Sequence, residues 1–170
     1  MRRGVSPFLA PIAGIAAASD AGPRSGAAAS SGPGGRPDPA LERARKLLDR
    51  AILFDGHNDL PMAIREKLGP VPDLSRYDLR SRSPGHTDIP RLREGRVGAQ
   101  FWSVYIPGEA RGEFARTQLE QIAIARRVID AYPDTFVLAA TAADVERAHR
   151  SGRIASMLGM EGGYALENSL

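Results

Sequence analysis

Apolar and polar positions repeat with two different periods along this chain, and the changes of period mark out its elements. After Asp38 and Pro39, a capping side chain followed by proline at the first helical position, "ALERARKLLDRA" repeats Leu41, Ala44, Leu47, Leu48 and Ala51 at helical spacing. "AILFDGHND" then opens on an apolar run, the pattern of a strand buried on both faces in a parallel sheet. "HTDIPRLREGRVGAQFWSVYIPG" predicts a short helix capped by Thr87 or Asp88 and ended by Gly95, then a second strand, "VGAQFWSVYI", rich in aromatic and β-branched residues. Between Glu113 and Tyr132 a long amphipathic helix is expected, with Phe114, Leu119, Ile122, Ile124, Ala125, Val128 and Ile129 mostly on one face. "TFVLAA" reads as a short extended piece, "TAADVERAHRSG" as a capped helix stopped at Gly152, and "RIASMLGMEGG" as a third strong strand. Strands alternating with helices, over crossovers too long for hairpins, predict a parallel α/β architecture.

Composition changes this picture at one end. Residues 1–37 are dominated by Ala, Gly, Ser and Pro and offer little side chain to bury, so they read as a disordered tail, with the folded domain at 38–170. Arg2 and Arg3 ahead of "FLAPIAGIAAASDA" also outline a secretory leader, weakened by two prolines. The compartment stays unknown, with a cytoplasmic one slightly favoured over export. The tail holds four of the 23 basic residues and one of the 20 acidic ones, so its departure leaves 19 of each. A neutral body argues against a nucleic-acid partner, which needs clustered Lys and Arg in excess. No stretch is long and apolar enough for a transmembrane segment. The absence of Cys removes disulfides and thiolate metal sites.

The chemistry concentrates in "FDGHNDLP". Asp55, His57 and Asp59 stand at every second position, so on a regular strand they share one face while Asn58 points the other way. Functional residues of parallel α/β folds sit where strands reach their carboxyl edge. Glu161 ends the third strand in the same manner, and Gly162 and Gly163 after it let the backbone turn. One imidazole and nearby carboxylates suit Zn²⁺ or a similar divalent ion; surface polar residues or a satisfied core histidine is the alternative. Asp55 fits either a partner that orients a ligand or a carboxylate bonded to backbone. His86 suits a capping or structural place, His149 the last turn of a helix, and Trp102 and Tyr105 core or pocket wall. "RYDLRSRSPG" reads as a solvated loop.

The blocks "DGHNDLP", "HTDIPRLREGRVGAQFWSVY", "LEQI" and "RIASMLGMEGGYALENSL", in this order, resemble the renal or membrane dipeptidase family of zinc metallopeptidases. The resemblance runs from about residue 39 to the last residue, and it implies the amino-terminal part of a (β/α)₈ TIM-type barrel. It further implies hydrolysis of dipeptides by a hydroxide bridging two Zn²⁺ ions. By resemblance His57 and Asp59 are metal ligands of the first ion, and Glu161 is the catalytic carboxylate that bridges both ions. A dipeptide is the implied substrate, and a homodimer is an allowed assembly of the full-length protein.

The sequence departs from the family in length. A full barrel needs about 250 residues, whereas roughly 130 follow the tail, enough for about three βα units. The family's later histidines have no counterpart, because His57, His86 and His149 are the only three, and Tyr164 follows "EGG" where relatives often carry histidine. The expectation is therefore a fragment with an incomplete second metal site, holding at best one weakly bound ion and inactive by itself. Another metal-dependent amidohydrolase, or a non-catalytic truncated chain, remains the alternative reading.

Overall fold

A computed structural model of the protein describes residues 38–108 and 113–167. The expected tail at 1–37, with its leader-like outline, lies outside the described residues, as does the end of "LENSL". Four parallel strands form one sheet: β1 (Leu53–Asn58), β2 (Val97–Ser103), β3 (Phe136–Leu138) and β4 (Ile154–Gly159). Their order in the sheet is β1-β2-β4-β3. The three strands expected from the apolar runs form, and they stand side by side in the sheet. The short "TFVLAA" piece adds a fourth strand, pairing Phe136 with Ile154 and Leu138 with Ser156. Among the described residues no helix is long and apolar enough to cross a membrane.

Among the described residues, five α-helices connect and flank these strands. They are α1 (Pro39–Leu48), α2 (Leu60–Leu68), α3 (Ile89–Glu94), α4 (Phe114–Ala131) and α5 (Ala142–Arg150). Local chemistry fixes their ends. Asp38 accepts from the Ala40 N–H ahead of α1, Asp88 rather than Thr87 caps α3, and Thr141 and Asp144 form a reciprocal capping box at α5. Gly152, at φ 71°, supplies the left-handed turn after α5. After α3 the corresponding position falls to Arg96 at φ 55°, not to Gly95, whose φ is −74°. The Arg96 guanidinium pairs with Asp49 just beyond α1, which holds that arginine in place.

One face of the sheet packs against α2, α3 and α4 around Ile64, Leu92, Trp102, Ile124, Val128, Phe136 and Ile154. Trp102 and Phe136 meet edge to face at 5.5 Å. On the other face Ala99, Ala155 and Met157 receive Val145 and Ala148 of α5, the alanines allowing close approach.

Three expectations about burial fail, each for a physical reason. β1 is an edge strand, so Leu53 and Phe54 are 36% and 47% exposed instead of buried on both faces. In α4 the apolar Leu119 is exposed, while Gln118 and Gln121 face inward. Their amides donate to Val104 O at 2.9 Å and Tyr105 O at 2.8 Å, satisfying carbonyls where β2 has run out of ladder. The segment "RYDLRSRSPG" is not wholly solvated: Tyr77 and Leu79 are buried, and the Tyr132 hydroxyl accepts from Leu79 N–H and donates to Asp78.

Candidate metal centre

The carboxyl edge of the sheet gathers the residues that carry chemistry. β1 delivers His57 one step before its end, Asp59 follows at the junction with α2, and Glu161 follows β4. His57 Nε2 stands 3.1 Å from Asp59 Oδ1 and 3.6 Å from Glu161 Oε2. One ligand atom from each of the three lies within 4.8 Å of the others. Ser103, the last residue of β2, donates its hydroxyl to Glu161 Oε2 at 3.2 Å. The ends of three neighbouring strands thus contribute four groups to a single cluster, two of them from β1 and the residue after it.

The cluster is open to water: the side chains of His57, Asp59 and Glu161 are 55%, 59% and 50% exposed. A hollow of about 430 Å³ adjoins it, walled by Met62, Ala63, Glu66 and Tyr105. A second hollow, of about 480 Å³, borders His57 and Glu161 from the side of Phe101, Ser103 and Met160. One imidazole nitrogen and two carboxylates, converging without a cationic side chain among them, are a donor set that fits a divalent ion of the zinc type.

The remaining candidates separate cleanly. Asp55 Oδ1 accepts from the backbone N–H of His57 at 3.2 Å, so its carboxylate braces the turn of chain that presents the ligand. Trp102 is core, 1% exposed, and Tyr105 is pocket wall. His86 is exposed and does not cap α3; it lines a hollow together with Asp59, Leu60, Ala63 and Tyr77. His149 faces Gly98 at the opposite edge of the sheet, among Arg93, Arg96 and Arg153. Neither joins the cluster. Tyr164 lies in a short 3₁₀ turn, Gly163–Leu166, after Gly162 takes φ 89°.

Sequence reasoning passed over the supports of the site. Asn58 is tied to Thr87 and Gln100, and Gln100 is fully buried in the middle of β2. Behind Thr87, Asp88 is also fully buried. It accepts from the backbone N–H groups of Ser83 and Arg91 and from the Arg91 guanidinium. Hydrogen bonding from that guanidinium, ahead of the opposing effect of burial, lowers the Asp88 pKa to about 2. Arg91 reaches on to Gly85 O at 2.6 Å, and so clamps the loop against which Asn58 leans. A buried polar residue amid an apolar strand, Gln100 in "VGAQFW", was the available signal.

The family description membrane dipeptidase (peptidase family M19) matches residues 41–170. The chain belongs to the membrane dipeptidase family. Over 141 residues it is 44% identical to dipeptidase ataJ of Aspergillus terreus, covering 78% of this chain and 34% of that protein. Over 144 residues it is 40% identical to dipeptidase verJ of Clonostachys rogersoniana, covering 78% of this chain and 36% of that one. The chain thus spans about a third of the length of these relatives. The crystal structure of the probable dipeptidase PvdM from Pseudomonas aeruginosa superposes at a TM-score of 0.63 with 17% identity, covering 79% of this chain and 34% of that one. A metallo peptidase from Rhodobacter sphaeroides, solved with a phosphinate mimic of the dipeptide L-Ala-D-Ala, gives a TM-score of 0.54 with 24% identity over 67% of this chain and 39% of its own. These likenesses show the α/β fold of a partial barrel.

Proposed function

We propose that this segment supplies the first part of a metal-dependent dipeptidase centre, with His57, Asp59 and Glu161 as its metal ligands and dipeptides as the substrate. The observation that carries the reading is the meeting of His57 Nε2 with the Asp59 and Glu161 carboxylates at the carboxyl edge of a parallel sheet. Membership of the dipeptidase family and two relatives named dipeptidases support the substrate class.

Zinc in such a site supplies Lewis acidity toward the scissile carbonyl and lowers the pKa of water. His57 and Asp59 would hold the first ion, both presented from one turn of chain two residues apart. Glu161 has two carboxylate oxygens to offer and would complete the ligand set from the end of β4. The Ser103 hydroxyl orients one of those oxygens. Asp55 steadies His57 through its backbone rather than through its ring. Tyr105, Met62 and Glu66 wall the side from which a small substrate would approach. Among the described residues His86 and His149 are not part of this cluster, so a second ion would need further ligands.

The test is hydrolysis of dipeptides by a polypeptide that continues this segment to the family's full length, followed as release of free amino acids. Turnover is expected with zinc, to be lost on chelation, and to be abolished by Glu161→Gln. Normal turnover by Glu161→Gln removes that residue from the mechanism, and cleavage of other amides or lactones with dipeptides untouched overturns the substrate class.

A further inference from the structure

The strand ladder does not fix His57. Asp55 opposes Gln100 and Asn58 opposes Trp102, so three steps along β1 run against two along β2. Such a bulge leaves the intervening residues outside regular pairing and re-aims a side chain. Gln100 spans the irregularity. It donates through Nε2 to Asp55 O at 3.4 Å and accepts through Oε1 from Asn58 Nδ2 at 3.4 Å.

Asn58 then connects this repair to the start of α2. Its Nδ2 lies 3.0 Å from Thr87 Oγ1, and its Oδ1 accepts from the Thr87 hydroxyl at 3.2 Å and from Leu60 N–H at 3.0 Å. The last of these bonds is a helix cap. Asp59 occupies the residue before α2, yet its carboxylate makes no capping bond, and its φ of −86° and ψ of 19° are not those of an extended cap residue. Pro61, in the first turn, has no N–H to offer. Capping has moved one residue upstream to Asn58, and the Asp59 carboxylate is left to face His57 Nε2 at 3.1 Å.

We infer that Asn58 is a positioning residue of this site: its amide caps α2 in place of Asp59 and, through Gln100 and Thr87, holds the Asp59 carboxylate against His57. The functional consequence rests on the reading of His57 and Asp59 as metal ligands, whereas the positioning itself does not.

The experiment is a double-mutant cycle on the 170-residue chain, with Co²⁺ affinity read from its visible absorption and crystal structures of the variants. Asn58→Ala is expected to weaken Co²⁺ binding on the order of 10- to 100-fold. In an Asp59→Ala background the same change should cost little, because Asn58 acts through Asp59. Asn58→Ser, whose hydroxyl can still accept from Leu60 N–H, should recover most of the affinity. Asn58→Gln, whose amide stands one methylene too far out, should resemble Asn58→Ala and replaces it if that variant does not fold. The variant structures should show Asp59 displaced from His57. Additive losses, or a His57–Asp59 contact unchanged in Asn58→Ala or Asn58→Gln, overturn the inference. Failure of the unaltered chain to bind Co²⁺ sinks the metal reading instead, and the His57–Asp59 contact in the variants then decides the positioning claim alone.

Discussion

Glu161 Oε2 lies 3.6 Å from His57 Nε2, although His57 lies in β1 and Glu161 just beyond β4, with β2 between those strands. Parallel pairing explains the meeting. Asn58 is in register with Trp102, and Trp102 with Leu158, so the ends of β1, β2 and β4 align and the residues just at or beyond those ends share one edge. Sequence separation is erased by strand register.

The loop behind the site should respond to acid through Asp88. Its pKa is lowered from 3.8 to about 2, so the carboxylate contributes stability that is fully present above about pH 4 and is lost as pH falls through about 2. Asp88→Asn should lower unfolding stability near neutral pH by about 1–3 kcal/mol, the cost of leaving buried donors poorly paired. Denaturant unfolding at a series of pH values should show a flatter dependence between pH 4 and 2 in this variant than in the parent.

Gln118 offers a prediction in which two effects oppose each other. Leucine at this position would orphan Val104 O, but it would also remove Gln118 Oε1, which is buried without a partner. The net loss should be about 1 kcal/mol, at the low end for a broken buried hydrogen bond. Gln118→Leu studied by urea unfolding checks this, and a loss as large as a core cavity would contradict it.

The exposed apolar side chains at edge strand β1 predict self-association. Phe54, 47% exposed, meets Phe101 at 5.6 Å with the rings tilted by 48°, and Met160 is 53% exposed. An apolar patch beside the outer edge of β1, unpaired among the described residues, favours association between chains. Phe54→Ser should reduce binding of a hydrophobic dye and shift sedimentation toward the monomer. Because the ring is half exposed, the stability cost should stay below the roughly 3–5 kcal/mol of a buried Phe.

Much of the fold was legible because its signals are local. The apolar runs gave three strands, Asp38, Asp88 and Thr141 announced helix starts, and the step from "HND" to "MEGG" put His57, Asp59 and Glu161 at strand ends. What escaped depends on tertiary pairing. Strict alternation places Asp55, His57 and Asp59 on one strand face, but a bulge intervenes and Asp59 has already left the strand. Periodicity favours Leu119 for the core of α4, yet carbonyls at the end of β2 require the amides of Gln118 and Gln121. Asn58 looked idle because its face of the strand carries no chemistry of its own; its partners, Thr87 and Gln100, come from elsewhere in the chain.

Calorimetric titration of the purified chain with Zn²⁺ addresses the centre directly. Binding of one ion per chain is expected, weakened by about tenfold or more in each of His57→Ala, Asp59→Ala and Glu161→Gln. Absence of binding, binding unaffected by all three substitutions, or two ions held at full occupancy by these three residues would contradict a single, partly built metal centre at the edge of this sheet.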